Sequence, residues 1–155
     1  QLALEQYKSQ TGGFPNTEYL ENSNDEEARG ILLFQALSGL VDRKGKKIHA
    51  DKRGKGFLPN RDSFIYGSRE EGGIQQVTLS LDQLQGVQVP DVFLLDPWDS
   101  PYVYEFPRRD GHKGFLIFSK GSDGKASVFD SELVKTPEKE DMDMDNIPPS
   151  EPGKW

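Results

Sequence analysis

The sequence predicts a single α+β domain, with helices leading and a small antiparallel sheet following. Three observations predict it. Amphipathic helical patterns fill the first quarter of the chain, alternating aromatic segments appear only after residue 100, and at 155 residues there is room for one core but not comfortably for two. Hydrophobic residues make up 34%, and sixteen glycines with ten prolines call for long turns and loops between short elements.

The first helix is already running at Leu2, so the sequence is expected to start inside a longer helix. Leu4 and Tyr7 fall three apart, with Ala3 four before Tyr7, and so share one helical face, while Glu5, Lys8 and Gln10 lie elsewhere around it. Gly12 and Gly13 supply its C-terminal stop, and Pro15 follows. Ser23 to Glu26 reads as an S-x-x-E capping box opening a second helix. Asp25, Glu26 and Glu27 complement the positive end of that helix, and Ile31, Leu32, Leu33, Phe34, Leu37 and Leu40 cover too wide an arc for a surface helix. It is expected to pack into the core.

From Asp42 to Lys55 the segment DRKGKKIHADKRGK holds seven Lys or Arg residues and little to bury. It reads as a solvated basic loop, one that could alternatively contact a neighbouring subunit or anionic lipid. No phosphate-binding G-x-x-x-x-G-K-[ST] pattern occurs in it. Phe64 to Tyr66 and Gln75 to Leu81 are expected as short strands around a turn-rich Gly67 to Gly73. A meander follows: Tyr102 to Phe106, Phe115 to Ser119 and Ala126 to Asp130. In its first strand Tyr102, Tyr104 and Phe106 alternate with Val103 and Glu105, which lets one aromatic face lie on a helix. Phe115 to Phe118 is apolar on both faces and is expected to be central. From Thr136 onward, KEDMDMD and then Pro148, Pro149 and Pro152 predict disorder, although the final Trp155 favours docking.

Composition excludes several activities. A net charge of −7 argues against nucleic-acid binding, and the absence of cysteine removes disulfides, thiolate metal sites and thiol nucleophiles. His49 and His112 sit among glycines and basic residues in loops, where they read as solvated side chains. No serine-hydrolase elbow occurs, and nothing marks a cleft for a glycosidase carboxylate pair. No catalytic residue is expected. Asp141, Asp143 and Asp145 alternate as in half of a calcium loop, but Asn146 and Pro152 stand where an EF-hand needs glycine and glutamate. The turn Gly121-Ser122-Asp123-Gly124 is the best source of further oxygen ligands.

Three segments, in order, carry a family resemblance. ALEQYKSQTGGFPNTE, from Ala3 to Glu18, is similar to the end of the long N-terminal helix and following loop of type II secretion major pseudopilins. LDPWDSPYVYEFP, from Leu95 to Pro107, resembles that family's L-x-D-P-W-G-N-P-Y-x-Y segment, and FLIFSKGSDG, from Phe115 to Gly124, resembles its strand followed by S-L-G-[AS]-D-G. The resemblance implies a pilin-like fold in which the N-terminal helix packs on a small antiparallel three-stranded sheet with long loops. Residues 1–12 would end that helix, 13–94 form a variable helix and loop region, 95–130 the sheet region and 131–155 a C-terminal loop. It further implies that Asp96-Pro97-Trp98 with Pro101 is the structural turn bringing the chain into the sheet, with Trp98 in the core, and that a calcium ion ties the loop after the last strands to the C-terminal loop. Carried over, the ligands are Lys120, Ser122, Asp123, Asp143 and Asp145, with Asp141 or Asn146 as substitutes because one extra residue precedes Ile147. Asp99-Ser100 replaces Gly-Asn, and the segment from Asp42 to Leu79 is longer and more basic than the family's middle region. Both a divergent major pseudopilin and a minor one therefore stay open.

The function implied is structural. The domain would decorate a periplasmic filament that drives protein export, anchored in the inner membrane through a hydrophobic helix upstream. Its partners would be other pseudopilin subunits and secretion-system inner-membrane components. The competing reading is a periplasmic or secreted calcium-dependent binding module, and a less favoured third is a hydrolase with paired carboxylates.

Overall fold

A computed structural model describes residues 2–23, 25–54, 56–58, 63–79, 84, 89–108 and 113–120. The expected α+β order is present. Among the described residues, helix α1 (Leu2–Thr11) and helix α2 (Glu26–Leu37) precede five strands, β1 (Ile65–Glu70), β2 (Gly73–Val77), β3 (Phe93–Leu95), β4 (Val103–Glu105) and β5 (Leu116–Phe118).

Helix α1 buries Leu4 and Tyr7 and leaves Glu5, Gln6, Lys8 and Gln10 in solvent, as the spacing requires. It stops where expected: the Gly12 amide donates to the Lys8 carbonyl at 2.8 Å, and Gly12 adopts a φ of 90°, a conformation that costs glycine nothing. The start of α2 differs from the capping-box expectation. Its cap is Asp25, whose side chain accepts the Glu27 amide at 2.9 Å, while Ser23 lies upstream and offers its carbonyl to the Arg29 guanidinium at 2.8 Å. An aspartate directly before the first turn supplies both an acceptor and the favourable charge, so it displaces the serine.

Leu32, Leu33, Phe34, Ala36 and Leu37 are buried, and α2 lies on both β3 and β4. Gly30 permits the approach, since a Cβ there would stand 3.3 Å from that of Phe93. Phe34 meets the Tyr66 ring edge-on at 5.5 Å.

The first two strands of the expected meander are present and paired, and a further sheet stands ahead of them in the chain. The three-stranded sheet is antiparallel in the order β2-β1-β3, and β4 pairs with β5 in a separate antiparallel ribbon. Residues 67–70, read as turn, extend β1, and the reversal is confined to Glu71 and Gly72. Strand β3 had no counterpart in the sequence reading. Ala126 to Asp130 lies outside the described residues. Tyr104 is fully buried as expected, but its neighbours Val103 and Glu105 are buried too, so β4 has no solvent face.

The segment after α1 is fastened to β4 across 89 residues of sequence. The Tyr104 hydroxyl donates to the Pro15 carbonyl at 2.7 Å, and the Thr17 amide donates to the Phe106 carbonyl at 2.8 Å. Phe14 packs edge-on against Phe106 at 5.3 Å and Phe115 at 4.9 Å. Phe115 and Ile117 pack against the hydrophobic cluster that contains Tyr7, and Phe14, just past the end of α1, makes the direct contact with Phe115.

Candidate functional site

The sequence-derived site is centred on the end of β5 and the acidic stretch near the C-terminus. Of its residues, Lys120 is described; Ser122, Asp123, Asp143 and Asp145 lie outside the described residues, as do Asp141, Asn146 and the Gly121 to Gly124 turn. Among the described residues no group of three or more His, Asp or Glu side chains could hold a metal. The donor chemistry of the set still fits a hard cation, since a hydroxyl and three carboxylates are oxygen ligands of the kind calcium takes. Lys120 fits only through its main-chain carbonyl. An ammonium has donors and no acceptor, and Lys120 Nζ already donates to Glu26 Oε2 at 2.8 Å.

What the structure builds beside Lys120 is an anchor for the end of the β5 segment. Asp96, completely buried, accepts from the Trp98 amide and the Ser100 amide through Oδ1, each at 2.9 Å. Its Oδ2 accepts from the buried Ser119 hydroxyl at 2.7 Å. One carboxylate therefore closes the turn after β3 and fixes the residue that ends β5, and the Lys120–Glu26 pair ties the next position to the first turn of α2. Asp99 sits in this turn with a φ of 61°, and its side chain accepts from Gln76 at 2.7 Å. The sequence pointed to this segment as a structural turn but not to Asp96 as its centre. An aspartate followed by proline, with a free amide two residues on, is the signal that identifies it.

Trp98 contradicts its expected core position: it is 43% exposed. The Asp96 turn satisfies its own backbone and needs no aromatic filling, so the indole points away from the core.

His49 is exposed and paired with Asp51, in keeping with a solvated loop side chain, and His112 lies outside the described residues. Three tyrosines inside the domain hold their protons tightly. Burial, reinforced by the Asp42 carboxylate and opposed by the Arg43 guanidinium, pushes the Tyr7 phenol up to about 12. Burial raises Tyr104 well above the ordinary range, with Tyr7 beside it, and raises Tyr102 with help from Asp96. None is poised for proton transfer near neutral pH.

A helix packed through a second helix onto small antiparallel sheets is a pilin-like α+β arrangement. Residues 66–135 match the family model of type II secretion system (T2SS) protein G, the major pseudopilin. That stretch contains β1 to β5, the Asp96 turn and the FLIFSKGSDG segment, so two of the three segments that carried the sequence resemblance lie inside it. No curated protein and no solved structure matches the chain. Among the described residues no helix is long and apolar enough to cross a membrane.

Proposed function

We propose that this domain is the globular part of a structural subunit of a type II secretion pseudopilus, a periplasmic filament whose assembly drives protein export. The observation that carries the reading is the protein G match over residues 66–135, joined to a helical spine clamped onto the matched sheets at Pro15 and Thr17. In this reading the spine continues upstream into an apolar helix that anchors the subunit in the inner membrane and packs against other pseudopilins. Inner-membrane components of the secretion system are the remaining partners. The work done is mechanical, with no residue assigned a catalytic role. Calcium, held between Lys120, Ser122 and Asp123 on one side and Asp143 and Asp145 on the other, would fasten the C-terminal loop to the anchored end of β5.

The upstream sequence tests the filament. A pseudopilin requires Gly followed by Phe or Met and then a glutamate, within a stretch of about twenty apolar residues. The full chain expressed beside a prepilin peptidase should lose its leader at that glycine, as read by intact mass. A conventional cleavable signal peptide in that position would instead leave the secreted binding module.

A further inference from the structure

A cleft of about 930 Å³ lies against α1, bounded on the other side by the loop from Val41 to Leu58, and neither the filament reading nor the calcium reading uses it. Its walls combine two chemistries. Tyr7, Val41 and Phe57 give it an apolar side, and Arg43 and Lys44 give it a cationic one. The Arg43 guanidinium packs on Gly13 with its Nε buried, which holds the cation in the wall of the cleft. Asp42, the carboxylate that also lines the cleft, already accepts the Lys44 and Lys46 amides through one oxygen at 2.9 Å, which holds it in its own turn. Lys44 stands at 5.0 Å from the Tyr19 ring, itself 56% exposed, and Lys46, Lys47 and Lys52 extend the exposed positive surface along the same loop. In a chain of net charge −7 this is a local reversal of sign.

We infer that the cleft is a docking site for an extended acidic peptide segment of a partner protein. An apolar side chain of that segment lies against the half-buried Phe57 and Ile48, and its carboxylates meet Arg43 and Lys44. The volume lies toward the top of the ~300–1,000 Å³ range of clefts that bury a whole small ligand, so a lone inorganic anion would fill only part of it. A bilayer surface is too flat to reach apolar walls set inside a concavity. The inference stands whether or not the subunit forms a filament.

Fluorescence anisotropy with a labelled phenylalanine–tetraglutamate peptide tests it, beside the same peptide carrying glutamine for each glutamate. The acidic peptide should bind, increasingly weakly as salt rises, and the glutamine peptide should not. Lys44→Gln and Arg43→Gln should each weaken binding about tenfold, the worth of one charge-assisted contact. Because the Arg43 guanidinium packs on Gly13, Gln10→Glu provides a second probe: it places a repelling charge in the cleft from the exposed face of α1. Circular dichroism would establish that each variant is folded. Lys52→Gln, outside the cleft lining, should leave the affinity within about twofold. Equal binding of the glutamine peptide, or a loss in Lys52→Gln as large as in Lys44→Gln, would overturn the inference. So would displacement of the peptide by inorganic phosphate at similar concentration, or by phosphatidylglycerol vesicles, since either would give the cleft to a different ligand.

Discussion

Asp96 spends both carboxylate oxygens on three donors, the Trp98 and Ser100 amides and the Ser119 hydroxyl. Asp96→Ala takes this acceptor from all three and should lower stability by about 3 kcal/mol, seen as an earlier urea midpoint at unchanged slope. Asp96→Asn keeps one acceptor but presents an amide to Ser119 and should cost about 1 kcal/mol. Trp98→Ala, two residues away, should stay within about 0.5 kcal/mol of the parent because the indole is half in solvent. The contrast marks what the residues could and could not disclose. Aspartate, proline and a small polar residue in close order announce a turn, and the turn is there. Which way its tryptophan leaves the backbone depends on φ at Asp99 and on the sheet beneath, neither of which local composition encodes.

The elements that were legible are those whose own periodicity decides their fate. Leu4 with Tyr7 in α1 and the apolar arc of α2 each point one way before any partner is known, while the alternation of Tyr102 to Phe106 disclosed a strand but not that both its faces are covered. The stretch Gly67-Ser68-Arg69-Glu70 has no such signal, and its glycine and charges favour a turn. It is strand because β2 pairs with all four residues, with β3 joining from the other side at Gly67, a tertiary effect that overrides weak local preference. Strand β3 was missed for the complementary reason, since three apolar residues before Asp96 are too short to show a period. The calcium ligands were legible only as a resemblance, because residues far apart in sequence must converge and no spacing rule joins Asp123 to Asp143. Gly67 gives the sheet its own test. A Cβ there would stand 2.9 Å from three side-chain carbons of buried Leu95, so Gly67→Ala should cost about 1–3 kcal/mol in urea unfolding. At the exposed hairpin reversal Gly72→Ala should change stability by less than about 0.5 kcal/mol, since its nearest contact would be 3.9 Å away.

At the scale of the whole molecule, the proposed calcium acts as a ligand of the folded state alone. At a free concentration ~100 times its dissociation constant it should add about 2.7 kcal/mol. For a domain of this size that raises the melting temperature of chelator-treated protein by roughly 5–10 °C. Asp123→Ala should abolish the rise; an unchanged melting curve in the parent would remove calcium and leave the filament proposal standing. The long-range clamp between the first residues and β4 bears on the order in which the molecule can assemble. Pro15 and Thr17 find their partners at Tyr104 and Phe106, so a further 89 residues must be synthesised before this segment can be secured. Until then Phe14 lacks the Phe106 and Phe115 rings that pack on it, and the segment stays open to insertion machinery or a chaperone while its partners are still on the ribosome.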